Sequence, residues 1–245
     1  MTDGIHFDDA RGPEGIRLYA IGDVHGRLDL LERMHGVIRE EIEREKPADW
    51  RVIHLGDYVD RGLQSRQVLD FLDAARSADS RMIMLAGNHD RGFVDFLAEP
   101  SFDSLFMQNG GIQTAASYGV PFDYQAADLD RFQAALAKAV PAEHLSFIQS
   151  CDFSASFADF FFCHAGIRPG VPLEKQDPDD LTWIRGEFLR FTGLHPKIVV
   201  HGHTITAEPE VLANRVNVDT GACYSGTLTA FAVDGTDKRL IMVEG

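Results

Sequence analysis

The chain has 245 residues, 44% of them hydrophobic and 25% charged, an ordinary globular composition with enough length to bury a sizeable core. Collagen-like, disordered and fibrous classes are excluded. Lys and Arg number 23 against 38 Asp and Glu, a net charge of −15, which argues against broad nucleic-acid or anionic-membrane binding and suits a protein that binds cations.

The first residues, MTDGIHFDDARGPEGIR, carry neither the basic nor the apolar stretch of a secretion signal. No apolar run approaches the roughly 18 residues that span a bilayer. The three cysteines, Cys151, Cys163 and Cys223, form no CxxC pair, so no disulfide framework is expected and a reducing cytoplasm fits best.

Residues 1–15 read as an irregular arm rich in Gly, Asp and Pro. A short apolar strand follows at 16–21 and runs into Gly-Asp-Val-His-Gly. Leu28, Leu31, Met34, Ile38 and Ile42 recur at steps of three and four, a helix. A second strand is expected at 51–55, then a helix capped by Ser65 with Val68, Leu69, Leu72 and Ala75 on one face, then a third strand at 81–85. Strands alternating with helices predict an α/β sheet, with functional groups on loops beyond the strand ends.

Residues 93–150 read as a helical insertion, with helices near 128–140 and after Pro141 and turns at 109–111 and 118–121. Strands return at 160–163, 197–201, around 215–218, 228–233 and 240–243, the last two joined by a hairpin at Asp234-Gly235. The expected organisation is an arm, 1–15, followed by one catalytic domain, 16–245.

Five of these strands end in a motif that sets His, Asp or Asn beside glycine. They are Gly22-Asp23-Val24-His25-Gly26, Gly56-Asp57-Tyr58-Val59-Asp60-Arg61-Gly62, Gly87-Asn88-His89-Asp90, Cys163-His164-Ala165-Gly166 and His201-Gly202-His203-Thr204. Each alone reads as a turn or a helix cap, but five strand ends together point to a mixed nitrogen and oxygen metal site. The donors exceed what one ion needs, so a carboxylate shared between two ions is expected.

This ordered set, GD-x-HG, GD-x-VDRG, GNH-[DE], HAG and GH, resembles that of the calcineurin-like metallophosphoesterases. The GDYVDRG spelling is similar to the phosphoprotein phosphatase branch, the serine/threonine protein phosphatases and their bacterial relatives. The resemblance spans about residues 16 to 235. It implies a four-layer α/β/β/α sandwich of two mixed β-sheets flanked by helices. It implies two divalent ions, manganese first, with iron, zinc or magnesium as alternatives. Asp23 and His25 would hold the first, Asp57 would bridge both, and Asn88, His164 and His203 would complete the second. Position 205 is isoleucine, so the second His of a GH-x-H motif is missing, as expected in the protein-phosphatase branch.

The resemblance further implies that His89 protonates the leaving group, that Asp60 orients it, and that Arg61 and Arg185 grip phosphate, with Arg168 as rival to Arg185. Tyr224 resembles a late tyrosine that faces the metals, whereas His201 and Cys163 read as structural. The leading expectation is therefore a serine/threonine protein phosphatase that cleaves phosphomonoesters with a metal-bound hydroxide. Two departures favour an alternative, a nucleotide hydrolase of the symmetrical diadenosine tetraphosphatase type. Ala86 stands where eukaryotic protein phosphatases have an arginine, and GNHD is a spelling those tetraphosphatases share, although they usually lack the Asp of VDRG, present here as Asp60. The expected substrate is thus a phosphorylated protein or a small phosphoester or nucleotide. A purely metal-binding protein would leave His89, Asp60 and Arg61 idle.

Overall fold

The computed structural model describes residues 4–245, and its first strand shows why the chain builds layers. In β1 (Ile16–Ile21), Leu18 and Ala20 face one apolar cluster while Tyr19 and Ile21 face another, so both sides of the strand are buried. The chain continues through α1 (Leu28–Glu45), β2 (Asp49–His54), α2 (Ser65–Ala78) and β3 (Met82–Met84). Five helices follow: α3 (Asn88–Ala98), α4 (Leu105–Gln108), α5 (Gly111–Ser117), α6 (Leu129–Ala139) and α7 (Ala142–Gln149). The second half holds β4 (Ser154–Phe157), β5 (Phe160–Cys163), α8 (Pro178–Trp183), α9 (Gly186–Leu189), β6 (Ile198–His201), β7 (Glu210–Val211), β8 (Arg215–Asn217) and α10 (Ala222–Ser225). It closes with β9 (Thr227–Asp234) and β10 (Asp237–Glu244).

Two mixed five-stranded sheets result, ordered β10-β9-β1-β2-β3 and β4-β5-β6-β8-β7. Between them lie Leu18, Ala20, Phe160, Phe162, Val200, Val216 and Phe231. On the outer face of the first sheet, Leu30, Met34 and Ile38 of α1 cover Tyr19, Val52 and Ala230. On the outer face of the second, Leu181 and Phe188 of α8 and α9 cover Phe161 and Val199. This is the four-layer α/β/β/α sandwich that the motif set implies.

The chain between β3 and β4 is helical because its apolar residues repeat at helical steps. Phe93 and Phe96 of α3 stack on Phe106, and Phe132 of α6 packs against Phe96. The arm is irregular, yet it is ordered against both sheets. Phe7 lies against Phe231, Ile5 N–H donates to the His195 carbonyl, and Ala10 is fully buried. The sequence pattern missed β4, β7, α8, α9 and α10, all of six residues or fewer, too short for periodicity to register. It also placed β2 and β3 within two residues of their ends. Among the described residues no helix is long and apolar enough to cross a membrane.

One packing detail carries a consequence for acid stability. His54, fully buried at the end of β2, stacks on His35 of α1 at 5.1 Å, and no hydrogen-bond partner meets its Nδ1. Burial, and then its neighbour His35, hold His54 well below the usual imidazole range, and burial takes His35 down to about 4. The unfolded chain takes up protons near pH 6.5 that the folded chain refuses. Stability should therefore fall as pH drops from about 7 to 5, by about 2 kcal/mol for His54 alone. Urea unfolding of His54→Leu across that range should show a correspondingly flatter profile than wild type. Parallel profiles would remove His54 as a source of acid lability.

Candidate metal centre and active site

The five motif loops converge at the carboxyl ends of β1, β2, β3, β5 and β6, where the two sheets open towards one another. Asp57 lies at the middle. Its Oδ2 is 3.4 Å from His25 Nε2 on one side and 3.4 Å from His164 Nε2 on the other. Two triads of donors share it: His25, Asp57 and His89, and Asp57, His164 and His203, all buried. Asn88 Oδ1 joins the second triad, 2.9 Å from His164 Nε2.

The ring orientations show why this arrangement suits cations. His25 Nδ1 donates to the Val59 carbonyl at 2.7 Å, and His164 Nδ1 donates to the Leu55 carbonyl at 2.9 Å. In a neutral imidazole that leaves each Nε2 as a bare lone pair. Burial, above all, holds His25 well below its ordinary range and takes His164 down to about 3, so neither ring gains a second proton easily. His164 Nε2 then points its lone pair at the oxygens of Asp57 and Asn88, acceptor facing acceptor. A cation between them resolves that conflict, and a backbone carbonyl on the far nitrogen is the usual support of a ligating histidine. His203 Nε2 is buried without a partner. The residues present thus fit two divalent ions, and their donor set does not fix which metal.

Backbone geometry and glycine allow the approach. His25, Asp57, Asp60, Arg61 and His203 all have positive φ, from 43° to 71°, five of the eight such non-glycine residues described. Strain of this kind persists only where surroundings impose it. A Cβ on Gly87 would collide with the Asp57 carboxylate, and one on Gly202 with that of Asp23. Asp90 anchors the Asp57 loop: its two oxygens accept from the N–H groups of Asp57 (2.8 Å), Tyr58 (2.9 Å) and Gly87 (2.9 Å).

Asp23 lies at the edge of the two triads. Its carboxylate accepts from the His203 N–H at 3.1 Å and sits beside Asp219, and it belongs to neither triad. Burial first, then Asp219 and Asp57, push it well above the usual carboxylate range. Asp219 was missed in the sequence, although Asp219-Thr220-Gly221 follows an apolar strand as the five motifs do. It is buried, its Oδ2 has no partner, and burial lifts it to about 6.

His89 Nδ1 lies 2.7 Å from Asp60 Oδ2, and its Nε2 accepts from Arg61 at 2.9 Å. A second N–H of Arg61 reaches His25 Nε2 at 2.7 Å. Asp60 is held by Thr114, whose hydroxyl donates to Asp60 Oδ1 at 2.8 Å, and its backbone N–H donates to the oxygens of Thr114 and Ser65. Ser65 is therefore not the helix cap expected from sequence. Gln64 occupies the cap, and the Ser65 hydroxyl turns to the Asp60 loop instead. Thr114, on α5, gave no sequence signal.

The two candidate arginines separate. Arg185 is exposed beside the site, with an N–H 3.4 Å from the His203 carbonyl. Arg168 is bidentate on Asp180 at 2.7 Å and also paired with Glu187. Tyr224 is exposed, its ring centroid 5.9 Å from the Arg61 guanidinium. His201 is buried against Phe188, and burial pushes the Cys163 thiol up, away from reactivity.

Asp57→Asn removes the negative charge of the shared ligand while keeping its shape. Metal-free, the variant should melt at or above the wild-type temperature, because one buried carboxylate leaves a crowded cluster. Manganese at 100 times its dissociation constant should stabilise wild type by about 2.7 kcal/mol, and the variant far less. Equal stabilisation of both proteins would remove Asp57 from the metal site.

Comparison with known proteins agrees with this geometry. Residues 16–221 match the family model described as calcineurin-like phosphoesterase. The asymmetrical bis(5'-nucleosyl)-tetraphosphatase PrpE of Anoxybacillus flavithermus is 25% identical over 231 residues, covering 86% of this chain and 87% of that protein. A solved structure provisionally assigned as a diadenosine tetraphosphatase superposes with a TM-score of 0.66 at 18% identity, covering 96% of this chain and 98% of that one. A cold-active protein-tyrosine phosphatase from Shewanella gives 0.54 at 17% identity, covering 96% and 83%. At such identities the two structures speak for the fold alone. The family match extends over most of the chain and takes in all five motif loops, and the chain belongs to the calcineurin-like phosphoesterase family.

Proposed function

We propose that this metal-dependent phosphoesterase hydrolyses dinucleoside polyphosphates, cleaving a phosphoanhydride bond. The observation that carries the reaction class is the Asp57 carboxylate shared by two buried imidazole clusters beside Arg61 and Arg185. Support for the substrate class comes from the tetraphosphatase PrpE, similar along 86% of the chain, and from Ala86, which stands in place of an arginine ahead of GNHD. A nucleotide hydrolase was the alternative drawn from the sequence, there of the symmetrical type, whereas the PrpE relative is asymmetrical.

Asp23, His25 and Asp57 would hold one ion, and Asp57, Asn88, His164 and His203 the other. When bound, two such ions supply Lewis acidity to water and to phosphoryl oxygens. Arg61 and Arg185 bind the remaining phosphate oxygens through planar N–H forks. Arriving phosphate draws Arg61 off His89, which frees its Nε2 to carry a proton. Asp60 keeps Nδ1–H in place and stabilises the imidazolium, so His89 can protonate the departing oxygen.

A second reading, phosphomonoester hydrolysis on proteins, draws on the Asp60–His89 pair at 2.7 Å. An alkoxide leaves poorly and needs that proton, whereas the nucleotide released from an anhydride is a far better leaving group. Parallel assays on diadenosine tetraphosphate, a phosphoserine peptide and para-nitrophenyl phosphate decide between them. The dinucleotide should have the highest kcat/KM, and a higher value on the peptide would reverse the assignment. His89→Asn should lower turnover of an alkyl phosphate about 10²–10⁴-fold and that of anhydride and aryl substrates less. An equal loss on all would give His89 another role. Arg61→Ala and Arg185→Ala should retain two metals per chain while inhibition by inorganic phosphate weakens several-fold. Metal loss in either variant would place that arginine in support of the ligands.

A further inference from the structure

Trp183 ends α8 two residues before Arg185, and the buried Ile184 between them turns both side chains outwards. Its indole is 43% exposed and stands edge to face with His203, ring centroids 6.0 Å apart. Large aromatic side chains lose much by such exposure, and this one lies in contact with a candidate metal ligand rather than on a remote surface. It forms one wall of a cavity of about 220 Å³, which Asn88, Arg91, Asp95, Ser104 and Leu105 help to line. Pockets that take a whole drug-sized ligand span about 300–1,000 Å³. This cavity is suited to a single ring system held next to the reacting centre.

Its charge tells which end of a substrate it takes. Arg91, the cation at its wall, is already engaged, paired with Asp179 at 2.8 Å and bonded to the Thr182 hydroxyl at 2.8 Å. Those contacts fix α8, and with it Trp183, to α3. Asp95 is exposed, and among the described residues its carboxylate accepts no hydrogen bond and makes no ion pair. A free carboxylate repels phosphate but accepts from an exocyclic amine. A phenyl ring has no such donor, and a nucleobase has.

We propose that Trp183 and the cavity beside it form a nucleobase subsite, in which one base of the dinucleotide stacks on the indole while its amine faces Asp95. The subsite deepens the dinucleotide reading and rests on it for the reaction. Trp183 and Arg185, on one short stretch of chain, would then hold the base and the phosphates of the same nucleotide. Tyr224, beside Arg61, does not line this cavity.

Two measurements test the subsite separately from the reaction. The chain has two tryptophans, and Trp50 lies under Arg81 on β2, so Trp50→Phe leaves Trp183 as the single reporter. In that metal-free protein, adenosine monophosphate should quench Trp183 fluorescence at concentrations at least tenfold below those at which ribose 5-phosphate does. Stacking on an aromatic ring is worth roughly 5- to 140-fold per base. Trp183→Ala should accordingly lower kcat/KM for diadenosine tetraphosphate, relative to para-nitrophenyl phosphate, by about that factor, chiefly through KM, and Trp183→Phe should restore most of it. Equal quenching by the two phosphates, or an equal loss on both substrates, overturns the subsite. If adenosine monophosphate quenches but wild type does not cleave the dinucleotide, the base site stands and the assigned reaction falls. If wild type cleaves it and the nucleotide does not quench, the subsite falls and the reaction stands.

Discussion

The three backbone N–H groups that converge on Asp90 are the constraint on which the centre depends. Asp57 follows β2 and Gly87 follows β3, and one buried carboxylate at the start of α3 ties both loops together. This sets Asp57 at a positive φ that a free chain would avoid, and it aims the Asp57 side chain between the two histidines. The same loop connection brings the His89 N–H within 2.9 Å of Asp57 Oδ1. Asn88, His89 and Asp90 thus bring three groups together on three consecutive residues: a candidate metal-facing oxygen, a candidate acid–base imidazole and the anchor of the loop opposite. Parallel pairing of β2 and β3 makes this possible, because it puts the two loops at the same edge.

The assembled centre is electrostatically costly. Asp23, Asp57, Asp60, Asp90 and Asp219 are all buried, as are His25, His89, His164, His201 and His203. Burial pushes the carboxyl groups up and the imidazoles down, so each group relaxes towards its neutral form. Bound cations reverse this, since they favour ionised carboxylates and unprotonated rings. A centre built this way is stabilised by what it binds, and the surrounding layers must supply the stability that it lacks. The aromatic contacts of the inter-sheet core and of α3, α4 and α6 do so.

The candidate ligands were legible because each one follows an apolar strand and sits beside glycine, a local signal repeated five times. What supports them was not, because support is made by distant residues without special chemistry. Thr114 lies 54 positions from Asp60, and its role arises only when α5 packs beside the α2 N-terminus. Ser65 has the composition of a helix cap, and tertiary contact with Asp60 overrides that local preference. Asp219 carries the strand-then-glycine signal, but no imidazole accompanies it. Arg185 had Arg168 as its rival in sequence, and the carboxylates around Arg168 separate the two. Of the fold, the long amphipathic helices and the buried strands were readable, whereas elements of two to six residues exist only through their neighbours.

The position of Arg61 links binding to chemistry. Its two N–H contacts with His25 and His89 keep the guanidinium inside the centre while no anion is there. On the proposed reading an incoming phosphate would compete for that fork with better geometry and full charge and so release His89, His25 Nε2 being turned to the cation it would hold. His89 would then gain the proton-carrying freedom that the proposed reaction needs, at the moment the phosphate is in place. A chain with net charge −15 repels a polyanion at long range, so attraction must be generated locally, by Arg61, Arg185 and the cations. In the proposed subsite Asp95 would disfavour phosphate on the Trp183 side, leaving that side to an uncharged ring.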